Sequence, residues 1–299
     1  MKILDEIYKQ LEKEEKQKTH FYVTDLGTCP RKVIMNFGNF DKKPLTNGEK
    51  LMFKKAETDH KELIKLLNDS ENLFVIKGEF NISNGLPELW RGRLDCLIYD
   101  NQDKCIFPVD WKGTRSLKYS TDLPKQSHVL QIRAYIMALQ NMGFPTDYGE
   151  IVYTDRTGSY QGLEFVIKPD SEQVLSEMKI YEDYYKKSAQ EIEVRSFFTG
   201  AIENYQYEIN SKSILPPILE REIIKSRDEF YLKSSWQCEY CYYEGLSCKP
   251  NMSKNKIAEI KDDKLKIRKG YEKFENKLNE LINPKDDDFY NFCQKESKK

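Results

Sequence analysis

Apolar positions recur along this chain in two rhythms, and the change from one to the other divides it. Ile3, Leu4, Ile7, Tyr8 and Leu11 form one stripe of a helix over roughly residues 2–16. Pro30 suits the start of a second helical stretch ending at Phe37-Gly38, because its missing N–H would be unpaired there anyway. Phe53, Ala56, His60, Leu63 and Leu67 share a face of a helix over about 47–67. The rhythm then falls to two. Residues 74–82, 89–99 and 105–111 read as strands, joined by Ser83-Asn84-Gly85 and Asp100-Asn101-Gln102-Asp103 turns. A helix over about 123–141 stops before Gly143 and Pro145, and strands at 149–153 and 163–167 follow.

The order helix–β–β–β–helix–β defines an α/β (α+β) chain in which the second helix is a crossover onto one sheet. From Pro169 to about Asn210 the pattern reads as mostly helical, closing at Ile214-Leu215-Pro216-Pro217. Beyond Asn251 the composition turns to Lys, Glu, Asp and Asn. There Ile260, Ile267, Tyr271, Phe274, Leu278 and Leu281 form a short coiled-coil-like seam with Lys264 on it. No repeat or low-complexity linker interrupts the chain. The expected organisation is therefore one domain over 1–252 and a charged helical tail over 253–299.

Composition narrows the class. A 39% hydrophobic share with 12% aromatics argues against disorder in 299 residues. No apolar run approaches the ~20 residues a membrane span needs, and the charged N-terminus is no signal peptide, so a soluble cytoplasmic protein is expected. Lys and Arg number 48 against 49 Asp and Glu, so any nucleic-acid partner must be read from local charge.

Chemistry concentrates in Arg91-Gly92-Arg93-Leu94-Asp95 and Val109-Asp110-Trp111-Lys112-Gly113. Alternate strand residues share a face, so Asp110 and Lys112 point one way and Val109 and Trp111 the other. A hairpin symmetric about Gln102 and Asp103 places Asp95 directly across from Asp110, with Cβ atoms ~4.5–5.5 Å apart. Carboxylates that close repel unless a cation lies between them, and oxygen donors favour Mg²⁺ or Mn²⁺. A Lys two residues from one of them can orient or help deprotonate an attacking water and offset phosphate charge, the set that metal-assisted phosphodiester hydrolysis needs.

His60, on the stripe just before this sheet, is a candidate further ligand; His20 and His128 lack such company and read as ordinary residues. Gln131 and Tyr135 share a face of the next helix. Residues 110–135 hold Lys112, Arg115, Lys118, Lys125 and Arg133 against Asp110 and Asp122, a basic surface. With Tyr119 and Tyr135 it could track a phosphate backbone and stack on bases; the plain alternative is a solvated helix face.

Cys238-x-x-Cys241-x6-Cys248 has the spacing of a metal-ligating set one ligand short, and Cys29 is the best fourth. Such a site would staple the two ends of the domain, and zinc and an iron–sulfur cluster both fit the spacing. Cys96 and Cys105 read as buried small hydrophobes, and Cys293 as incidental.

Cys29-Pro30-Arg31-Lys32, His60, Gly92-Arg93-Leu94-Asp95, Asp110-Trp111-Lys112, Gln131-x3-Tyr135 and the last three Cys of the set, in this order, resemble the RecB-like branch of the PD-(D/E)XK nucleases. Within that branch the likeness is greatest to the CRISPR-associated Cas-four exonucleases, and the helicase-coupled AddB-type nucleases share the plan. The resemblance spans about 20–250. It implies a restriction-endonuclease-like αβββαβ core that cleaves single-stranded DNA from an end, most often 5′ to 3′, and leaves its role open among CRISPR spacer acquisition with antiviral defence, recombination, repair and virus replication. It also implies that His60, Asp95, Asp110 and the Trp111 carbonyl hold the divalent metal, that Lys112 serves the water, and that Gln131 and Tyr135 line the DNA path. Cys29, Cys238, Cys241 and Cys248 would hold a structural [4Fe–4S] cluster. DNA is the implied partner, with CRISPR integrase proteins or a helicase beside it, and an oligomer is compatible with this plan. The chain departs from the family at Ala56, where a Gly is usual, in about twenty residues between the Pro-Pro segment and the cysteines, and in the tail after 252.

Two other classes compete: a DNA-end-binding adaptor subunit that keeps the fold without turnover, and a zinc-stapled module that recognises protein through its C-terminal helix.

Overall fold

A computed structural model describes residues 6–9, 11, 18–38, 40–114, 117, 123–155, 162–195, 202–210, 212–216, 222–226, 229–233, 236–239, 241–244, 246–248, 255–261, 264–269 and 271–282. Two compact units make up the chain. The first comprises Met1–Thr28, Val33–Asn39 and Pro44–Leu215, the second Cys29–Lys32, Phe40–Lys43 and Pro216–Lys299.

A short parallel pair, β1 (Phe21–Tyr22) with β3 (Trp90–Arg91), and a five-stranded sheet organise the first unit. The sheet contains β2 (Leu73–Asn81), β4 (Arg93–Asp100), β5 (Cys105–Thr114), β6 (Gly149–Asp155) and β7 (Gly162–Ile167), in that spatial order. All neighbours are antiparallel except β5 and β6, which run parallel. A parallel pair needs a crossover, and α3 (Gln126–Asn141) supplies it, packing on β5 and β6. The mixed α/β class and the αβββαβ order expected from the sequence are both present.

After the short helix α1 (Pro30–Met35), the long helix α2 (Asn47–Leu67) has the predicted limits because its start is written locally. Thr46 Oγ1 accepts the Glu49 N–H, and Glu49 Oε2 accepts the Thr46 N–H at 2.7 Å, a reciprocal capping box. From it Leu63, Ile64 and Leu67 pack on Cys96, Ile98, Phe107, Val109 and Trp111, the apolar face of β4 and β5. Phe53, expected on that stripe, is instead 51% exposed. The opposite sheet face meets α3, which is buried along most of its length and packs in turn against α4 (Ser171–Ser188). Trp90, fully buried, stacks on Phe21 and donates from Nε1 to Glu182 at 2.9 Å.

Gly92 lies where β3 turns into β4. A Cβ there would sit 2.9 Å from Ile82 Cδ1 and 3.0 Å from Val23 Cγ2, so the glycine is required for close packing at the mouth of the hairpin.

Two local expectations are corrected. Residues 190–208 are not helical: β8 (Gln190–Arg195) and β9 (Ile202–Glu208) form an antiparallel ribbon, in keeping with the two-residue alternation Ile192-x-Val194. The expected helical tail begins as sheet. In the second unit β10 (Glu222–Ser226), β11 (Glu229–Lys233), β12 (Asn255–Lys261) and β13 (Lys264–Ile267) make a four-stranded antiparallel meander. Among the described residues after 252, Glu275–Ile282 is the α-helical stretch, with Leu278 packed on Phe230, Ile257 and Ala258. Of the opening helix, residues 6–9 are helical, and most of the remainder lies outside the described residues. No helix among the described residues is long and apolar enough to cross a membrane.

Candidate active site

The hairpin β4–β5 closes as its sequence dictates. Pairs run from Asp100↔Cys105 to Cys96↔Val109, centring the turn between Gln102 and Asp103. Asp95 and Asp110 are the next opposed positions, just past the last paired rung. There Asp95 replaces the missing strand partner: its Oδ2 accepts the Trp111 N–H at 2.9 Å.

Asp110 is completely buried. Its Oδ1 accepts from Gln131 Nε2 at 2.9 Å, and Lys112 Nζ lies 2.8 Å from its Oδ2. That second contact is ionic and off-axis, so Oδ2 has no directed hydrogen bond. Burial raises the Asp110 carboxyl to about 7; Lys112 pulls it down and the neighbouring Asp95 charge pushes it up again. A buried carboxylate whose Oδ2 meets an ammonium alone, beside a second carboxylate, offers the oxygen donors that a hard divalent cation takes.

His60, on α2, places Nδ1 3.6 Å from Asp95 Oδ1 and its ring 5.9 Å from that of Trp111. Among the described residues no three His, Cys, Asp or Glu side chains stand close enough to enclose a metal as they are. The fit to a cation therefore rests on the Asp95–Asp110 pair.

Lys112 is held from two sides, by Asp110 and by Gln131 Oε1 at 3.0 Å. The Gln131 amide serves three groups, since its Nε2 also donates to Tyr135 Oη at 2.6 Å. Tyr135 passes the chain on, donating to the Arg93 carbonyl at 3.2 Å. Gln131 is 5% exposed and Tyr135 1%, and burial with the two Asp charges lifts the phenol well above its ordinary value, keeping it neutral. Tyr135 is thus no stacking platform for a base; its hydroxyl braces the strand that carries Asp95. Arg115, Lys118, Tyr119 and Asp122 of the expected basic surface lie outside the described residues.

One pair next to Lys112 went unnoticed in the sequence. The β5–β6 register sets Tyr153 beside Lys112, and Tyr153 Oη lies 2.6 Å from His128 Nδ1 and accepts the Lys125 N–H at 3.1 Å. Burial, then Lys112 and Lys125, lowers His128 to about 3, so it stays neutral. Only the crossover pairing brings these residues together. His20, also read as ordinary, pairs with Arg91 through Nε2 at 2.9 Å.

The cysteine set belongs to the second unit. Cys29, Cys238 and Cys248 are buried and Cys241 is half-buried. The Cys29 N–H donates to Gln237 Oε1 at 2.9 Å, and the Cys241 N–H to the Cys238 carbonyl at 3.2 Å. Burial raises the Cys248 thiol; Arg31 opposes this, and the Cys241 and Cys29 sulfurs add to it. Cys96 is buried, its thiol pushed up to about 12, as suits a core residue. Cys105 is half-buried against Tyr148 Oη at 3.4 Å, and Cys293 lies outside the described residues.

The profile of the PD-(D/E)XK nuclease superfamily matches residues 4–246, and the chain belongs to that superfamily. Its nucleases generally use Mg²⁺ or Mn²⁺. Among solved structures it is similar to SSO0001, at 21% identity and a TM-score of 0.41 over 60% of this chain and 83% of that one. It is also similar to the alkaline exonuclease LHK-Exo from Laribacter hongkongensis, at 9% identity and a TM-score of 0.35 over 57% and 89% of the two chains. With dAMP bound, that exonuclease gives 11% identity and a TM-score of 0.40 over 57% and 90%. No curated protein matches the chain.

Proposed function

We propose that the chain is a metal-dependent DNA exonuclease acting on single-stranded ends, 5′ to 3′. The observation that carries this reading is the buried Asp110, whose Oδ2 lacks a directed hydrogen bond beside Asp95 and against Lys112. A binding module has no use for a costly buried carboxylate aimed at a second one, which is why the adaptor reading is set aside.

In this reading Asp95, Asp110, His60 and the Trp111 carbonyl hold Mg²⁺ or Mn²⁺. The cation supplies Lewis-acid charge to the phosphodiester when bound. Lys112 stands where it can orient the attacking water and offset developing negative charge. Gln131 keeps the Lys112 ammonium turned toward Asp110, and Tyr135 fixes the Arg93 backbone so that Asp95 keeps its place. Action at an end of single-stranded DNA, and a place beside CRISPR integrase proteins or a helicase in the cytoplasm, come from the ordered motifs that resemble the Cas-four exonucleases.

Cys29, Cys238, Cys241 and Cys248 are assigned to a [4Fe–4S] cluster that staples the domain. Burial of three of them, and the effect of the Cys29 and Cys241 sulfurs on Cys248, support this. The Cys248 thiol, raised by burial, would release its proton to a metal, so assembly is expected to weaken with acidity. The domain reading, 1–252 as nuclease with 253–299 appended, is retained as part of the proposal.

Single-stranded oligonucleotides blocked at one end or the other test the activity: loss of cleavage only with a blocked 5′ end supports it, and cutting of circular single strands overturns the exonuclease assignment. Anaerobically purified protein should be brown, with iron and sulfide in equal amounts; stoichiometric zinc overturns the cluster.

A further inference from the structure

Arg93 belongs to the Gly92-Arg93-Leu94-Asp95 run, yet the chemistry assigned to Asp95 and Asp110 leaves its side chain without a task. Its backbone is engaged, the carbonyl accepting from Tyr135 Oη at 3.2 Å. Its side chain is 65% exposed, and alternate strand residues share a face, so Arg93 and Asp95 project from the same side of β4. Its charge reaches the buried Tyr135 hydroxyl, where burial and the two Asp carboxylates raise the phenol and Arg93 opposes them.

The pairs Gly78↔Cys96 and Phe80↔Leu94 leave Glu79 on β2 level with Asp95, as Asp110 is on β5. Lys112 pairs with Asp110 at one end of this row of acids, and Arg93 with Glu79 at the other. The second pair is the looser one. Arg93 Nη1 lies 3.5 Å from Glu79 Oε2 without a directed hydrogen bond, and Glu79 is itself half exposed. Glu79 also holds φ at +49°, in the left-handed region that residues with a side chain seldom occupy. An exposed ion pair contributes little to stability, so it does not account for that backbone. Strain of this kind collects at ligand sites. Among the described residues the guanidinium makes no stronger contact, so its planar set of N–H donors stands open at the rim of the site.

We propose that Arg93 is a phosphate-binding residue: parked on Glu79 in the free chain, it exchanges that acid for a backbone phosphate of single-stranded DNA, next to the phosphodiester proposed to be cut. Glu79 lies on the β2 side of Asp95 and Asp110 on the β5 side. The guanidinium therefore meets a neighbouring phosphate, not the one held at the aspartate pair. A planar guanidinium donates two parallel hydrogen bonds to phosphate oxygens and keeps its charge at any working pH. Contacts of this kind position the polymer and carry no sequence preference. The choice of DNA rests on the nuclease reading; the phosphate ligand rests on Arg93 and Glu79 alone.

Fluorescence anisotropy of the full chain with a single-stranded oligonucleotide, in EDTA so that nothing is cut, tests this across a salt series. Arg93→Gln is expected to lower the slope of log affinity against log salt by about 0.7, the share of one phosphate contact. Binding at low salt should weaken by about tenfold or more, the scale of a hydrogen-bonded charge pair. Arg93→Lys should keep the slope and recover part of the affinity, since a point charge lacks the fork. Glu79→Gln should tighten binding, and that gain should vanish in the Arg93→Gln background. A methylphosphonate strand, which keeps the bases and lacks backbone charge, should bind the parent and Arg93→Gln alike. Parental slope and affinity in Arg93→Gln overturn the proposal. So does an equal weakening by Glu79→Gln, which marks the pair as structural. If the parent cuts DNA with Mn²⁺ and Arg93→Gln binds normally, the phosphate contact fails and the nuclease reading stands. If the parent cuts nothing and the slope still falls, the contact stands without it.

Discussion

The side-chain amide of Gln131 donates to Asp110 Oδ1 at 2.9 Å while its carbonyl accepts from Lys112 at 3.0 Å. One neutral side chain thus sets the orientation of an acid and a base that lie two residues apart on β5. Gln131→Ala should cut turnover by about 10²-fold, the cost of misplacing reacting groups by about an ångström. Its affinity for DNA in EDTA should stay within a few-fold of the parent, because a residue 5% exposed touches no substrate. Equal losses of binding and turnover would contradict this.

Tyr135 poses a sharper choice. Tyr135→Phe leaves the Arg93 carbonyl without its donor, a buried loss of about 1–3 kcal/mol. Thermal unfolding should show that destabilisation, and DNA binding should not change. Weaker binding at unchanged stability would restore Tyr135 to the DNA path.

Asp95 combines two tasks that substitution can separate. Asp95→Asn keeps an oxygen to accept the Trp111 N–H but lacks the charge, so the variant should fold with near-parental stability and lose metal-dependent cleavage. Asp95→Ala should lose cleavage and a further ~1 kcal/mol or so of stability, the net worth of one hydrogen bond. Calorimetry on both variants checks the distinction.

His128 gives a pH signature. Its folded value near 3 lies below an unfolded value of about 6.5. Below about pH 6.5 the unfolded chain takes up a proton that the folded chain refuses, so this residue's contribution is present above that pH and is lost as pH falls toward 3. The loss approaches 1.4 kcal/mol per pH unit. His128→Gln removes the titration along with the contact to Tyr153. The variant should be less stable than the parent at pH 7, with the deficit shrinking at pH 5. A constant deficit would refute the assignment.

Much of the nuclease core was legible because it is specified locally. The Thr46–Glu49 box fixes the start of α2, and the turn centred on Gln102 and Asp103 sets the register that brings Asp95 opposite Asp110. Gln131 was found from its spacing to Tyr135, yet its role was not, because its partners sit on a strand some twenty residues earlier. The second unit was misread for a physical reason. Ile260 and Ile267 are seven residues apart, which satisfies a heptad seam, but Leu265 and Ile267 also alternate with Lys264 and Lys266 at period two. Pairing with β11 and β12 decides for the strand, and such pairing is invisible in a short window.

Metal-dependent hydrolysis is assigned to Asp110 and Lys112. Its most direct test is the cleavage rate of labelled single-stranded DNA with Mn²⁺, for the parent chain, Asp110→Ala and Lys112→Ala, each confirmed as folded. Cleavage by the parent should stop in EDTA, and should fall by about 10²–10⁴-fold, the scale of a lost proton-transfer group, in either variant. Cleavage by Lys112→Ala or Asp110→Ala at the parental rate would contradict it.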